Sequence, residues 1–241
     1  MKAKLYMFPG SHPCACAEAA IRLKRIPYTR VNLIPAFHKL VVRSQFPSDT
    51  VPALALGDER VSGSRAILRR LDELQPEPPL FPADPALRAR VEEAEAWGDE
   101  VLQPLARRVA WAGLKRDPGV MMSYAAGAKM PLPRSLLKLG AKPVTAFASR
   151  YNGAGDEQVL TDLQALPDHL DKIEALMDEG VLGGETPNAA DLQIGSAIRL
   201  LDTFGDLAPL LEGRPCVRLG ENGFAPPQGA IPAGTLPSGW L

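Results

Sequence analysis

The chain has 241 residues and a mass of 25.9 kDa, enough to bury a full core in one large domain or two ordinary ones. Its 27 basic and 28 acidic residues give a formal charge of −1, which provides no electrostatic footprint for a nucleic acid or an anionic membrane. Composition therefore favours a small molecule or another protein as partner, and we expect neither nucleic acid nor membrane.

The first residues and the cysteines indicate a compartment. The start, MKAKLYMFPG, has only a short apolar run before Pro9, which is not a signal-peptide pattern, and no stretch reaches the roughly 18 apolar residues of a membrane span. Three cysteines, Cys14, Cys16 and Cys216, are too few and too odd in number for a disulfide framework. We expect a protein of a reducing compartment, the cytoplasm.

The first eighty residues alternate between strand-like and helix-like stretches. Hydrophobic periodicity predicts, in chain order, a strand at 3–8, a helix at 13–25, a strand at 28–33, a loosely helical region within 36–50, strands at 51–56 and 59–62, and a helix at 64–74. Gly57-Asp58, between the last two strands, is a hairpin signal, and Ser64 is placed to cap the helix that follows. The pattern predicts an α/β domain.

A proline-rich segment at 75–85 divides the chain, because five prolines in eleven positions suit neither a helix nor a central strand. Beyond it, periodicity predicts only helices, at about 86–115 with a kink at Pro104, then at 135–150, 156–179 and 188–203. We therefore predict domains at 1–76 and 85–215. Proline and glycine in the last residues predict an irregular tail at 220–241.

Three motifs add detail to this arrangement. Val51-Pro52 opens the third predicted strand, GSRAI at 63–67 begins a helix of the α/β domain, and ETPNAADLQIGSAIRLL at 185–201 begins a helix of the second domain. With the order of elements, these motifs resemble the cytosolic glutathione S-transferases over roughly residues 3–215. The resemblance implies an α/β thioredoxin-like N-terminal domain, an all-α C-terminal domain, and glutathione as co-substrate without a metal.

The resemblance gives the first two motifs a role in binding glutathione. Val51-Pro52 corresponds to the cis-proline whose exposed backbone pairs with the cysteinyl part of glutathione; an ordinary trans-proline is the alternative. Ser64, followed by Arg65, would hold the γ-glutamyl carboxylate at a helix start, where free N–H groups and the dipole favour an anion; a plain N-cap is the alternative. Gly63 departs from the family, which has an acidic residue there to face the ligand's amino group.

The third motif carries a folding signal. Asn188 as N-cap and Asp191 three residues later form a reciprocal capping box before an apolar periodic run.

The stretch SHPCACAEAAI at 11–21 would form the loop and first turn of the first helix, with Pro13 at the first helical position. Under the resemblance, Ser11 occupies the catalytic position, where its hydroxyl would donate a hydrogen bond to the glutathione sulfur and favour the thiolate. Cys14 is the alternative working residue, as a low-pKa thiol, unless it is a small core residue. Cys16 faces another side of the helix and is predicted to be core.

Other side chains have two explanations each. His38 is one residue short of the spacing of a histidine that contacts the glycyl carboxylate in some classes of the family, and a surface histidine is the alternative. Tyr6 favours core packing over a role at the thiol. Three dispersed histidines and one C-x-C lack the spacing of metal ligands. Candidates for the electrophile pocket are Trp97, Trp111, Met121, Met122 and Tyr124.

Two functions follow from the resemblance. One is an enzyme that uses glutathione to conjugate, reduce or isomerise an apolar electrophile, as in detoxification. The other is a binding or scaffold protein that keeps the fold without turnover. The resemblance also implies a homodimer, in which the thioredoxin-like domain of one chain contacts the helical domain of the other.

Overall fold

The structure is a computed structural model, and it describes residues 2–35, 37–126, 128–227 and 229–241. The N-terminal part contains a four-stranded sheet in the order β2-β1-β3-β4, with helices packed on it, and the remainder is largely helical. The strands are β1 Ala3–Met7, β2 Tyr28–Asn32, β3 Ala53–Leu56 and β4 Glu59–Ser62. The predicted fold class, an α/β thioredoxin-like domain followed by an all-α domain, is confirmed.

The sheet combines one parallel pair with two antiparallel pairs. β1 runs parallel to β2, with Ala3 opposite Tyr28, and antiparallel to β3, with Ala3 also opposite Leu56. β3 and β4 form the predicted hairpin, and Gly57 adopts a φ of 61° at its turn, a conformation that suits glycine. β3 is completely buried, so side chains on both of its faces contact the core. This is why its sequence is an unbroken apolar run.

The helices of the described residues are α1 His12–Leu23, α2 His38–Arg43, α3 Ser64–Leu74, α4 Pro85–Trp97, α5 Gln103–Arg116, α6 Met121–Tyr124, α7 Arg134–Tyr151, α8 Asp156–Asp178, α9 Ala189–Leu201 and α10 Ala208–Leu211. The region predicted as loosely helical contains α2, although Ala36 at its start lies outside the described residues. None of these helices combines the length and the apolar character that a bilayer crossing requires.

A π-helical turn at Gly98–Leu102 joins α4 to α5 directly before Pro104. The sequence predicts one helix kinked by this proline. In the structure the break in the regular helix is a wider, π-helical turn. A proline lacks the N–H donor and clashes with the preceding turn, so a local change of helical pitch accommodates it. The turn also brings Gly98 against α9, since a Cβ on Gly98 would lie 2.8 Å from Ile194 Cγ1.

The proline-rich segment between the sheet and α4 is fixed by a buried lysine. Lys24 Nζ donates to Asp72 Oδ1 at 2.6 Å and to the carbonyl oxygens of Pro76 and Pro78 at 3.2 and 2.5 Å. Asp72 Oδ1 also accepts from the Leu80 N–H at 2.7 Å. Because a buried cation needs its charge and its donors satisfied, this arrangement ties the linker to the end of α3.

The irregular C-terminal tail is docked on the helical domain. Asp206 accepts from the backbone N–H groups of Gly234, Thr235 and Leu236 at 2.6, 3.1 and 2.9 Å. Ile231 is buried and exchanges backbone hydrogen bonds with Thr203 and Gly205. The tail therefore wraps the helical domain without regular secondary structure.

Candidate functional site

A cavity of about 520 Å³ lies where the N-terminal ends of α1 and α3 and the start of β3 meet the helical domain. Its polar side is formed mainly by the loop before α1, the 50–52 segment and the 62–66 segment. Its other side comes from helices of the C-terminal domain. The structure therefore brings together Ser11, His38, Val51, Pro52, Ser64 and Arg65, the site residues predicted from the sequence apart from Cys14.

Ser11 lies at one end of this cavity, at the N-cap of α1. Its carbonyl accepts the first helical hydrogen bond, from the Ala15 N–H at 3.0 Å, while its hydroxyl makes no capping bond. The helix begins one residue earlier than predicted, so Pro13 occupies its second position. Gly10 precedes the helix with a φ of 80° and lies against Tyr124, where a Cβ would be 3.0 Å from the Tyr124 Cβ. The loop can approach Tyr124 this closely only because residue 10 is glycine.

Cys14 is completely buried beneath Ser11. Burial raises the pKa of its thiol to about 12, although a hydrogen bond with the Ser11 side chain acts in the opposite direction. A thiol with such a pKa is almost entirely protonated at neutral pH, and the thiolate is the reactive form. These features disfavour Cys14 as a nucleophile. Cys16 is buried in the core as predicted, where its Sγ donates to Gln193 Oε1 at 3.3 Å.

The start of β3 and the end of β4 form one wall of the cavity. The Val51-Pro52 peptide bond is cis, as the resemblance implied, and the Pro52 carbonyl accepts from the Gly63 N–H at 2.9 Å. Ser62, next to this bond, has a buried Oγ without a hydrogen-bond partner among the described residues. A buried hydroxyl without a partner is costly, so a ligand group at this wall would gain a hydrogen bond.

The N-terminal end of α3 faces the same cavity. Gly63, with a φ of 89°, is the N-cap, and Ser64 is the first helical residue and makes no capping hydrogen bond, so the predicted N-cap role of Ser64 is wrong. Glycine takes the cap position because this backbone conformation is strained for other residues. The N–H groups of the first turn still create an anion-binding site next to the buried Ser64 side chain. Arg65 is partly engaged, with its Nε 3.3 Å from Glu95 Oε2.

His38 borders the cavity from α2. Its Nδ1 is buried and has no hydrogen-bond partner among the described residues. Burial, and then the charge of Lys39, lower the pKa of His38, so the neutral form is favoured near neutral pH. A neutral imidazole with a free ring nitrogen can donate or accept one hydrogen bond to a ligand.

A polar row on the helical side of the cavity was not predicted from the sequence. Asp99, Gln103 and Arg107 follow one another at intervals of four residues, which places them on one side of the helix, and all three line the cavity. Asp99 Oδ1 accepts from Gln103 Nε2 at 2.7 Å and from Gln193 Nε2 at 3.0 Å, whereas Oδ2 has no partner among the described residues. The four-residue spacing of polar side chains between buried apolar ones was the signal that could have revealed this row.

His12, the second missed residue, connects the α1 loop to this row. Its Nε2 lies 3.1 Å from the Gln103 carbonyl oxygen, which requires the imidazole to donate. Burial, and then the charge of Arg107, lower the pKa of His12 to about 3. The neutral ring therefore joins the two domains beside Ser11.

The far end of the cavity is apolar. Trp111, Met121 and Tyr124 line it as predicted, whereas Met122 is not among its described lining residues and Trp97 packs against His169 elsewhere. The Tyr124 hydroxyl lies 2.6 Å from Thr203 Oγ1, so it is held by the residues that follow α9. Within the described part of the chain, no group of three metal-binding side chains comes together.

Comparison with known proteins supports this architecture. Residues 5–79 match the sequence profile of the N-terminal domain of glutathione S-transferases. Over 96 residues the chain is 40% identical to glutathione S-transferase Z1 of Arabidopsis thaliana, and the match covers 36% of this chain and 41% of that relative. FtsZ-localized protein A of Caulobacter vibrioides is 24% identical over 235 residues, covering 89% of this chain and 88% of that protein.

A solved structure extends the similarity to both domains. The glutathione S-transferase of Methylobacterium radiotolerans, in complex with glutathione sulfonate, has a TM-score of 0.55 at 18% identity and covers 92% of this chain and 89% of its own. At this identity the likeness concerns the fold. Residues 5–79 therefore form the N-terminal domain of the glutathione S-transferases, and the chain as a whole shares the two-domain fold of their solved structures.

Proposed function

We propose that the chain binds glutathione in this cavity and uses its thiol to conjugate, reduce or isomerise an apolar electrophile. The observation that carries the proposal is the convergence of three elements on one cavity: the Ser11 loop, the start of β3 and the N-terminus of α3. The unpartnered Ser62 Oγ and His38 Nδ1 on the same walls support a ligand rich in peptide groups.

In this proposal the γ-glutamyl end of glutathione lies at α3. Its carboxylate accepts hydrogen bonds from Ser64 and from the free N–H groups of the first turn. Gly63 cannot neutralise the ammonium group, but Asp99 is a carboxylate on the cavity wall with a free Oδ2. We assign the ammonium group to Asp99, because it is the acidic side chain among the described lining residues of this cavity.

The sulfur lies at the Ser11 loop. Donation from the Ser11 hydroxyl and the positive end of α1 stabilise the thiolate, so the thiol proton is released to solvent more readily. The thiolate then attacks an electrophilic carbon held by Trp111 and Met121. A sulfur–carbon bond forms, and in a substitution the leaving group departs with the electron pair of its bond.

Calorimetric titration with glutathione tests the site. We expect Ser64→Ala to weaken binding by about 1 to 2 kcal/mol, and Ser238→Ala, at an exposed position of the tail, to leave it unchanged. Asp99→Asn should weaken glutathione binding but not binding of the analogue that lacks the γ-glutamyl amino group. Unchanged affinity in both cavity variants would remove this site assignment.

A non-catalytic binding protein is the second candidate. It is favoured by the nearly full-length similarity to a relative named for its localisation with FtsZ rather than for a reaction, and by glycine at position 63. Turnover of chlorodinitrobenzene with glutathione separates the two candidates. Binding without turnover of this or other electrophiles would support the second, and absence of both would support a scaffold role.

A further inference from the structure

Positive charge is concentrated in one part of the chain. Residues 118–155 contain five basic residues and no acidic residue, and since the whole chain has a net charge of −1, the rest carries −6. The five are Lys129, Arg134, Lys138, Lys142 and Arg150, and all are exposed. We expected no membrane partner because the net charge of the whole chain is close to zero. That total does not show the local excess of positive charge in this segment.

Exposed apolar side chains are concentrated in the same part of the surface. Of the ten large apolar side chains that are exposed in the described chain, eight belong to segment 132–151 or to α2 and its N-cap. Leu139 of α7 is 79% exposed and Leu40 of α2 is 74% exposed. Leu136, Leu139 and Phe147 follow the helical period along α7, and Phe147 also borders the cavity. We call the eight exposed apolar side chains, together with the five cations, the basic-apolar face.

The cations of this face have no carboxylate partner among the residues that the structure describes. None of the five makes an ion pair with a carboxylate of the described residues, whereas Arg69 and Arg108 pair with Glu95 and Asp162 at 2.7 and 2.6 Å. α2 and α7 are linked, because Lys39 Nζ donates to the Tyr151 hydroxyl at 2.6 Å. The basic-apolar face therefore combines exposed apolar side chains with cations that have no carboxylate partner among the described residues.

We propose that the basic-apolar face binds the surface of an anionic phospholipid membrane, with α7 lying along the bilayer interface. Leu136 and Leu139 would enter the boundary between headgroups and acyl chains, while the flanking cations contact phosphate and other anionic headgroups.

Two observations favour this occupant. A second copy of the chain, docked symmetrically through the same face, would bring five cations against five cations. A folded protein would need a separate pocket for Leu136 and for Leu139, because both are exposed and neither is among the described lining residues of the cavity. A lipid surface is deformable and accepts projecting side chains.

Co-sedimentation of the purified chain with vesicles tests the proposal. We expect binding to vesicles of phosphatidylcholine with phosphatidylglycerol, little binding to phosphatidylcholine alone, and a steep loss with added salt. Lys138→Gln with Lys142→Gln should lower the partition coefficient about 30-fold, at roughly fivefold per cation. Leu139→Gln should lower it about tenfold, since one leucine no longer enters the apolar layer.

Two control variants match these changes elsewhere. Lys2→Gln with Lys115→Gln removes the same charge from exposed positions outside the face, and Leu241→Gln changes an exposed leucine of the tail. Circular dichroism of each variant verifies folding. The proposal is overturned if the wild-type chain does not bind anionic vesicles or binds neutral vesicles equally well. It is also overturned if the control variants lose as much vesicle binding as the variants of the basic-apolar face. Absence of vesicle binding would assign the face to an acidic protein partner.

Discussion

Ser11 and Cys14 lie within one turn of each other, and their surroundings imply different chemistry. Ser11 lines the cavity, whereas Cys14 is buried with its pKa raised to about 12. In the sequence the two were alternatives, because a pattern of residue types does not reveal which side chain reaches solvent. The geometry supports Ser11 as the group that stabilises the cofactor thiolate.

Ser11→Ala therefore removes the hydrogen-bond donor proposed for the glutathione sulfur. We expect the pKa of the bound thiol to rise and conjugation to fall by roughly tenfold to a thousandfold, the scale of one donor to a developing or bound anion. The thiolate absorbance of the complex, titrated against pH, measures the first effect, and steady-state kinetics the second.

Cys14→Ala is the matched variant and should change both quantities little. A large loss of activity in Cys14→Ala with a mild effect of Ser11→Ala would reverse the assignment. Rapid alkylation of Cys14 at about pH 6 in the folded chain would do the same, because it requires a thiol pKa far below the ordinary value of about 8.5.

His12 makes the free energy of unfolding depend on pH. Its pKa is 6.5 ordinarily and about 3 in the folded chain. Between these values the unfolded state binds more protons, so the free energy of unfolding falls as the pH falls, by at most about 1.4 kcal/mol per pH unit. His12→Gln should lose this slope, which urea unfolding from neutral pH to about pH 4 measures.

Other groups titrate in the same range but do not affect the comparison. Burial raises the pKa values of Asp99 and Asp191, which gives the opposite sign, and both are present in wild type and variant. His169→Gln, at a partly exposed position of α8, is the control and should keep most of the slope. Equal slopes for wild type and His12→Gln would show that His12 is not the responsible group.

At the level of elements, the capping box of α9 is confirmed. The Asn188 side chain accepts from the Asp191 N–H at 3.0 Å, and Asp191 Oδ2 accepts from the Asn188 N–H at 2.9 Å. Asp191 Oδ1 also accepts from the Gly183 N–H at 2.7 Å. This carboxylate thus fixes both the helix start and the turn before it.

Asn188 of α9 and Asp84 of α4, two N-caps of the helical domain whose side chains accept capping hydrogen bonds, offer a matched pair of substitutions. Asn188→Ala should destabilise the chain by about 1 to 2 kcal/mol, because the cap is partly buried and its amide also donates to the Val181 carbonyl at 2.8 Å. Asp84→Ala at the exposed start of α4 should cost only about 0.5 to 1 kcal/mol. Chemical denaturation measures both, and a larger effect at Asp84 would contradict the role given to burial.

The helices and strands were predicted from the sequence more completely than the irregular turns and caps within them. The hairpin, the linker and the capping box depend on residues near in sequence, and each was predicted. The π-helical turn before Pro104 and the cap at Gly63 were not, since each depends on packing across the domain boundary or on a backbone angle. The row of Asp99, Gln103 and Arg107 was missed for the same reason: its partners, His12 and Gln193, come from distant segments.

At the scale of the whole molecule, the family resemblance predicts a homodimer. We expect light scattering at micromolar concentration to return about twice the chain mass of 25.9 kDa. The expected contact joins the thioredoxin-like domain of one chain to the helical domain of the other. A mass near that of one chain would refute the dimer and leave the vesicle experiment unaffected.

The burial of the three cysteines makes the chain suitable for site-specific labelling. Burial raises the pKa of Cys14, Cys16 and Cys216, so none of these thiols competes well for a maleimide near neutral pH. Leu139→Cys would add an exposed thiol to a chain whose own thiols react poorly with a maleimide. The native cysteines would therefore not have to be removed first. A polarity-sensitive fluorophore attached there would report, by its emission wavelength, whether α7 is in water or in contact with a less polar medium.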